Sequence, residues 1–237
     1  MTSRPERPTQ LAFDAAAAEA HLARVDPRLG RVIAERGPYA PSSAAAPDVF
    51  HSLMRAIVYQ QLSGKAAGTI HARVLTALGA TEAPGPRAIL ATDTDTLRSA
   101  GLSANKEASL RALAAAAVAG ELPDETRLAD YSDDDLIAAY SAIRGIGRWT
   151  VEMLLLFHLG RPDVMPIHDL GVRKGFAHVY GWETLPKPKQ MEAACETWRP
   201  YRSVGSWFMW RALEPVAVSC EPAPSAPYCD YGRQDEA

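Results

Sequence analysis

Two features of the sequence have residue types and a spacing that can perform chemistry together. The first is a turn with two glycines, Gly145 and Gly147, between two helical patterns. Because glycine has no Cβ, it can adopt a positive φ or let a ligand approach its backbone closely. The helix that follows would direct its unpaired amides and the positive end of its dipole at an anion. The second feature is Asp169, a single carboxylate after the next apolar run. The pair indicates a grip on a phosphate backbone beside one catalytic carboxylate.

Asp169 precedes a helical pattern and has two interpretations. Aspartate is common at the N-cap of a helix, where its side chain accepts a hydrogen bond from a backbone amide. It is also a residue type that acid–base or electrostatic catalysis uses. The two roles are compatible, because the helix dipole favours the charged carboxylate at this position. The neighbouring His168 is interpreted as an exposed loop residue.

The composition limits the class of protein. The chain has 237 residues, of which 47% are hydrophobic and 22% are charged, and its formal net charge is −3. These values are typical of a globular protein without a global basic field. Residues 140–211 nevertheless carry ten Lys and Arg against six Asp and Glu, and a local basic surface can bind phosphates. The chain shows no signal peptide and no apolar run of membrane-spanning length, which indicates a cytoplasmic protein.

The three cysteines, Cys195, Cys220 and Cys229, are scattered along the chain. Their spacing matches neither a zinc ribbon nor a four-cysteine iron–sulfur loop. We therefore expect no iron–sulfur cluster and no catalytic metal.

The elements that must position these residues are helices. Alanine is abundant and apolar residues recur at helical spacing, whereas no segment shows convincing strand alternation. The predicted fold class is therefore all-α, with helix starts at Asp48, Ser63, Ser103 and Ser132 or Asp133. The predicted helices cover 11–36, 48–60, 63–79, 95–100, 104–119, 133–143, 150–159, 169–180 and 189–213.

The sequence predicts three segments. Residues 1–47 form an N-terminal tail and an Ala-rich helix that packs on the core. Residues 48–213 form the core, with a hairpin at about 136–159, and residues 214–237 form a Pro-rich C-terminal tail. The first ~10 residues are rich in Pro and Arg, which is typical of a disordered start.

Five motifs stand in a fixed order along the chain. They are Ile57-Val58-Tyr59-Gln60-Gln61-Leu62-Ser63, Gly101-Leu102-Ser103, Gly145-Ile146-Gly147-Arg148-Trp149-Thr150, Pro166-Ile167-His168-Asp169 and Trp198-Arg199-Pro200-Tyr201-Arg202-Ser203. With these motifs the chain resembles, over roughly residues 48–213, the helix-hairpin-helix (HhH-GPD) DNA glycosylase superfamily, and most of all its 3-methyladenine DNA glycosylase II (AlkA-like) branch. The resemblance implies a base-excision enzyme with two helical subdomains and an active site in the cleft between them. Some members carry an N-terminal β lobe, which we expect to be absent here.

The resemblance implies a role for Asp169 as the catalytic carboxylate. Cleavage of an N-glycosidic bond passes through an oxocarbenium-like sugar, which an anion stabilises, and the same anion can activate the attacking water. An alkylated purine already carries positive charge and leaves without protonation. Trp149 stands where bifunctional members of the superfamily have a lysine that forms a Schiff base. We therefore expect a monofunctional hydrolase of alkylated bases without lyase activity.

The same resemblance implies the remaining site residues. Trp149, Met153, Leu170 and Trp210 would line the pocket of the flipped base, where aromatic faces attract cationic bases. Gln61 or Leu62 would be the wedge that fills the gap in the DNA. A Na⁺ or K⁺ ion is possible at the carbonyls of Ile143 and Gly145. Arg173, Lys174 and Lys106 either contact phosphates or are solvated. The hairpin residues expected to contact the DNA backbone are Gly145, Ile146, Gly147, Arg148 and Thr150.

Three alternatives remain open from the sequence. The chain could be a non-catalytic helix-hairpin-helix module that only clamps DNA, in which case Asp169 and Trp210 would have no reason to converge. It could be a glycosylase for oxidised or mismatched bases, whose pocket would need hydrogen-bonding groups, or a plain helical interaction protein. The expected partner is double-stranded DNA with damaged bases, and the expected state is a monomer without membrane contact.

Overall fold

The computed structural model of the chain describes residues 6–9, 11–44, 46–79 and 83–215. Helices dominate this part of the chain, so the predicted all-α class is confirmed. None of the helices described is long and apolar enough to cross a membrane. Beyond its first two residues, the predicted Pro-rich tail lies outside the described residues. In chain order the elements are β1 (Glu6–Pro8), α1 (Ala15–Val25), α2 (Pro27–Arg36), β2 (Ser42–Ala44), α3 (Val49–Tyr59), α4 (Gly64–Ala77), α5 (Pro86–Ala91), α6 (Thr94–Ser99), α7 (Ala104–Ala119), α8 (Asp133–Ser141), α9 (Arg148–Met153), α10 (Leu170–Tyr180), α11 (Pro188–Ala194) and α12 (Arg202–Ala212).

Short turns of other helical types complete the backbone. Two 3-10 turns cover Glu125–Asp130 and Glu196–Trp198. A π-helical turn, Leu154–His158, continues α9 directly. Single π-helical turns inside α-helices are frequent at functional sites.

The chain divides into two compact units at this π-helical turn, between Leu154 and Leu155. The first unit is continuous over Ala44–Leu154 and contains α3 to α9. The second unit is discontinuous: it combines Glu6–Ser43, with α1 and α2, and the residues from Leu155 onward, with α10 to α12. The first unit is therefore inserted into the second along the sequence.

The centre of the first unit is formed by α3 and α7. The Asp48 side chain accepts a hydrogen bond from the His51 amide (2.8 Å), which starts α3 as predicted. α7 packs against α3 and α5 and buries Leu110 and Leu113. The apolar positions of α3 recur every three or four residues, so one face is buried against its neighbours. These buried residues are Val49, Phe50, Leu53, Met54, Ile57 and Val58.

In the second unit, α10 and α12 contact each other at glycines. A Cβ added to Gly175 would lie 2.0 Å from the carbonyl oxygen of Met209, so the backbones touch at this point. A Cβ added to Gly171 would lie 2.6 Å from Cδ1 of Trp210. The two glycines are four residues apart and share one face of α10. This close packing brings the N-terminus of α10, and with it Asp169, to the side chain of Trp210.

Asp26 connects the N-terminal helices to the rest of the second unit. Its Oδ1 accepts hydrogen bonds from the amides of Arg28 and Leu29, both at 3.1 Å, which starts α2 directly after α1. Its Oδ2 accepts one from Nε1 of Trp198 (2.9 Å) and one from the Tyr180 hydroxyl. These bonds, and the packing of both helices on α12, make α1 and α2 part of the second unit.

Three predictions about the elements are wrong. The helix predicted over 11–36 is divided at Asp26 into α1 and α2, because Pro27 has no amide hydrogen and disfavours a helical residue before it. The helix predicted over 189–213 is also divided, because α11 ends at Ala194 and α12 begins only at Arg202, after Pro200. The expected disordered start contains β1, which pairs with β2 in a segment where no helix is predicted. Backbone pairing over three residues requires no side-chain alternation, so no sequence pattern indicates it.

Candidate active site

Asp169 is the N-cap of α10, as the sequence predicts, and only 5% of it is exposed. Its Oδ1 accepts a hydrogen bond from the Val172 amide (2.7 Å) and another from Nε1 of Trp210 (2.8 Å). The Val172 amide is at the third helical position, which has no acceptor within the helix. Two donors thus fix the carboxylate at the positive end of a helix dipole. This geometry suits a group that stabilises a developing positive charge without moving.

The Trp210 side chain is buried, and its ring lies near that of Phe157, with 5.6 Å between the centroids and 34° between the planes. The sequence predicts this ring as a wall of the base pocket. The structure adds the hydrogen bond from Nε1 to Asp169, which no local pattern indicates because the two residues are 41 positions apart. Phe157 is an aromatic neighbour that the sequence interpretation missed, although it ends the apolar run after Thr150.

We expect Trp210→Phe to separate the two roles of this side chain. Phenylalanine keeps an aromatic ring beside Phe157 but removes the donor to Asp169. A hydrogen bond to a charged group contributes about 1.5–3 kcal/mol. If the chain excises bases as the resemblance implies, the rate of base release should therefore fall about 10- to 100-fold. The measurement is single-turnover release of methylated bases from duplex DNA. Trp207→Phe on the same helix is the matched control, because its ring packs on Tyr39 and Phe208. Equal rates for Trp210→Phe and wild type would show that the hydrogen bond is not needed.

The other predicted pocket residues are distributed over both units. Trp149 is 39% exposed in the first turn of α9, and Met153 is buried at the end of that helix, both in the first unit. Leu170 is the half-buried first residue of α10, directly after Asp169, in the second unit. Within the second unit the structure therefore brings Asp169, Leu170 and Trp210 together. The roles of all four side chains towards a base stay predictions.

The glycine turn connects α8 to α9, and its two glycines differ in what they require. Gly145 has a φ of 81°, and an added Cβ would lie 2.0 Å from Oγ of Ser109. Gly147 has an ordinary φ of −91°, and an added Cβ would meet nothing within 4 Å. Gly145 is therefore needed by the fold, whereas Gly147 leaves open space at the start of α9. Ile146 and Thr150 are buried, so a ligand would contact these two residues through their backbone.

Arg148 is the first residue of α9 and forms an ion pair with a buried acid. Its Nε donates to Oε1 of Glu152 (2.8 Å), which is 1% exposed, while 54% of the Arg148 side chain is accessible. The ion pair holds the guanidinium at the start of the helix, where the dipole also attracts anions. Glu152 is a functional candidate that the sequence interpretation missed, since it reads as one polar residue in an apolar run.

The predicted wedge loop, Gln60 to Leu62, follows α3 and is connected to the glycine turn. Nε2 of Gln60 donates a hydrogen bond to the carbonyl oxygen of Gly145 (3.0 Å). Gln61 is exposed and has a φ of 57°, in the left-handed region that residues other than glycine rarely adopt. Nζ of Lys106 donates to the carbonyls of Val58 (2.8 Å) and Gln60 (2.6 Å). Lys106 of α7 thus fixes the backbone at the start of the loop, and the side chain of Gln60 connects the loop to the glycine turn.

The basic residues considered for phosphate contacts have different surroundings. Burial lowers the pKa of Lys106, whose ammonium is engaged by the two loop carbonyls. Lys106 is therefore a support for the wedge loop. Nε of Arg173 donates to the carbonyl of Pro186 (3.0 Å), and Lys174 is exposed. Of these three residues, Lys174 has the surroundings of a solvated side chain.

The chain thus has a buried carboxylate at the N-terminus of α10 and a separate glycine hairpin that begins α9 with an arginine. Residues 54–200 match the family described as HhH-GPD superfamily base excision DNA repair protein. The chain is a member of the HhH-GPD superfamily. The matched range contains the wedge loop, the hairpin and Asp169, whereas Trp210 lies beyond its end.

Individual relatives extend the HhH-GPD match over most of the chain. DNA-3-methyladenine glycosylase 1 of Schizosaccharomyces pombe is 34% identical over 212 residues, which cover 89% of this chain and 93% of the relative. The solved structure of the S. pombe 3-methyladenine DNA glycosylase in complex with abasic DNA has a TM-score of 0.74, with 34% identity, over 82% of this chain and 95% of that one. A DNA-3-methyladenine glycosidase from Bacillus halodurans has a TM-score of 0.75, with 31% identity, over 87% and 92% of the two chains.

Proposed function

We propose that the chain is a DNA glycosylase of base excision repair that hydrolyses the N-glycosidic bond of alkylated bases in double-stranded DNA. Membership of the HhH-GPD superfamily and relatives named DNA-3-methyladenine glycosylases support this activity. The observation that carries it in the structure is Asp169, a buried carboxylate fixed by Val172 and Trp210. The proposal includes action in the cytoplasm as a monomer.

The proposed reaction requires one anion and one water. The bond between C1′ and the base nitrogen breaks, and its electron pair stays on the base. The Asp169 carboxylate stabilises the positive charge that develops on the sugar. Water then attacks C1′, and its proton passes to the carboxylate or to solvent. A purine methylated at N3 or N7 is cationic before cleavage, so it leaves as a neutral molecule without a second acid.

The backbone and wedge contacts to DNA in this proposal come from the first unit. The open backbone at Gly147 and the guanidinium of Arg148 would bind phosphate oxygens. Gln61, which is exposed, or Leu62 would enter the duplex where the base has been flipped out. In the second unit, Trp210 beside Asp169 would offer a ring face to a cationic base.

The hairpin carbonyls of Ile143 and Gly145 stay the proposed site of a Na⁺ or K⁺ ion. The carbonyl of Ile143 accepts the Ile146 amide (3.1 Å), and that of Gly145 accepts Gln60. Because a carbonyl oxygen has two lone pairs, each oxygen could bind a cation beside its hydrogen bond. No step of the proposed reaction requires a bound ion.

The test of the proposed function is release of bases from alkylated DNA. Duplex DNA treated with a methylating agent is incubated with the protein, and the released bases are separated by chromatography. We expect methylated purines to appear at a rate proportional to the protein concentration. Binding of abasic-site DNA without release of any base would instead indicate a non-catalytic clamp, and release of oxidised bases alone would indicate another specificity.

We further propose that the enzyme lacks lyase activity, because Trp149 offers no amine at the position where bifunctional relatives form a Schiff base. Incubation with abasic DNA and borohydride should therefore give no covalent protein–DNA adduct on a denaturing gel. A bifunctional glycosylase treated in the same way is the positive control. A trapped adduct would show that another amine of this chain attacks the sugar.

A further inference from the structure

The loop of residues 163–168 precedes Asp169, and an ion pair attaches the first residue of this loop to the start of α12. Asp163 accepts hydrogen bonds from Nε of Arg202 (Oδ1, 2.7 Å) and from Nη2 of Arg202 (Oδ2, 3.0 Å). Nη2 also donates to the backbone carbonyl of Asp163 (2.9 Å). Nη1 of Arg199 donates to Oδ2 of the same aspartate (2.6 Å). The paired side chains of Arg202 and Asp163 are only 13% and 20% exposed, respectively. A two-pronged contact of this kind allows one relative orientation of the two groups.

The attachment continues along the loop in register with α12. The Val164 amide donates to Oγ of Ser203 (2.9 Å), and Oγ of Ser206 lies 3.3 Å from Sδ of Met165. Ser203 and Ser206 are fully buried. At the end of the loop, Trp210 donates to Asp169. The partner positions on α12, residues 203, 206 and 210, lie three and four apart on one helix face. Residues further along the loop therefore contact positions further along α12.

We propose that Asp163 and Arg202 are positioning residues for catalysis, acting through the register of this loop on α12. The ion pair fixes the start of the loop at Arg202. The register of the loop on α12 then places Asp169 beside Nε1 of Trp210. Without the ion pair, the two serines and the backbone hydrogen bond from the Ser203 amide to the carbonyl of Pro162 (3.0 Å) set the register, and the carboxylate is less firmly held beside its donors. This inference rests on the proposed function, and it gives a role to the Trp198–Ser203 motif, which the sequence alone leaves without one.

The proposal predicts a loss of rate without a loss of DNA affinity. Displacement of a catalytic group by about 1 Å can lower a rate about 100-fold, so we expect Asp163→Asn and Arg202→Lys to lower single-turnover excision about 10- to 100-fold. Arg202→Lys keeps the charge but loses the two-pronged geometry. The dissociation constant for abasic-site DNA should stay within about twofold of wild type. A purely structural ion pair would change the melting temperature and leave the rate of the folded protein unaltered.

Amide hydrogen exchange gives a second readout that does not depend on activity. The Val172 amide donates to Asp169 Oδ1 and has no helical acceptor. Its exchange should accelerate in both variants if the carboxylate is displaced, together with that of Val164. The matched control is Asp130→Asn, which breaks the exposed ion pair of Asp130 with Arg127 in the first unit. This control should change neither the excision rate nor the exchange of the two amides.

The outcomes separate this proposal from the proposed function. If wild type releases methylated bases and both variants do so equally fast, the positioning role is refuted. A higher dissociation constant with unchanged rate at saturation would also overturn it, because the ion pair would then serve DNA binding. If wild type releases no base, the proposed function fails, and unchanged exchange at Val172 would independently reject the positioning role. The double variant Asp163→Asn and Trp210→Phe should lower the excision rate by a smaller factor than the product of the two single decreases, since both substitutions act through Asp169.

Discussion

Asp169→Asn is expected to lower the release of methylated bases by at least about 100-fold, the range seen when one transition-state-stabilising group is removed. Asparagine has the same shape, and its side-chain oxygen can still accept hydrogen bonds from Val172 and Trp210. What it lacks is the negative charge that opposes the developing charge on the sugar. The rate of release is measured under single-turnover conditions on methylated duplex DNA.

The stability of this variant should stay near that of wild type. Asparagine and aspartate are similarly good N-cap residues, so α10 should still begin at Leu170. Asp14→Asn is the matched control, because Asp14 caps α1 in the same unit by accepting from the amides of Ala16 and Ala17. Asp14→Asn should excise bases at the wild-type rate. If Asp169→Asn retained more than half of the wild-type rate, the carboxylate charge would not be the source of catalysis.

Gly175→Ala is expected to destabilise the protein by about 1–3 kcal/mol, the usual cost of adding a methyl group to a filled interior. The new Cβ would lie 2.0 Å from the carbonyl oxygen and 2.6 Å from the carbonyl carbon of Met209. Because these are backbone atoms, no side-chain rotation can relieve the overlap, and α12 must move from α10. Trp210 follows Met209, so the movement should also weaken its hydrogen bond to Asp169. Both the melting temperature and the excision rate should fall.

Substitution of a glycine with space around it should stabilise the protein, and such a substitution serves as the control. Gly68 lies inside α4, where an added Cβ would be 3.5 Å from the Tyr59 hydroxyl, an ordinary contact. Alanine favours the helix over glycine by about 0.5–1 kcal/mol, so Gly68→Ala should raise the melting temperature. If Gly175→Ala proved as stable as Gly68→Ala in thermal denaturation, the contact between α10 and α12 would be looser than the structure indicates.

The parts of the fold that the sequence predicted are those that depend on near neighbours in the chain. The caps at Asp48, Ser103, Ser132 and Asp169 are contacts between a side chain and an amide three residues on, and all four are confirmed. The buried face of α3 likewise depends on spacing within one helix. Proline breaks were missed, because a helical pattern on both sides of Pro27 and Pro200 concealed them.

The contacts that shape the candidate site join residues far apart in the sequence. The resemblance placed Asp169 and Trp210 in one site, but the sequence did not indicate which atoms are in contact. Trp210 and Asp169, Gln60 and Gly145, and Asp163 and Arg202 are separated by 41, 85 and 39 positions. Each contact depends on how the helices pack. One local pattern does indicate a helix contact. Gly171 and Gly175 are four residues apart on one helix, a spacing that permits close approach of a second helix.

The insertion of the first unit into the second has a consequence for synthesis of the chain. α1 and α2 leave the ribosome first, but α12, on which they pack, begins only at Arg202. At the usual rate of roughly 5–20 residues per second, the two N-terminal helices wait on the order of ten seconds for their partner. The continuous first unit is complete at Leu154, so the whole hairpin is synthesised before Asp169 and before its donor Trp210. The residues proposed to bind DNA therefore leave the ribosome before those proposed to cleave the glycosidic bond.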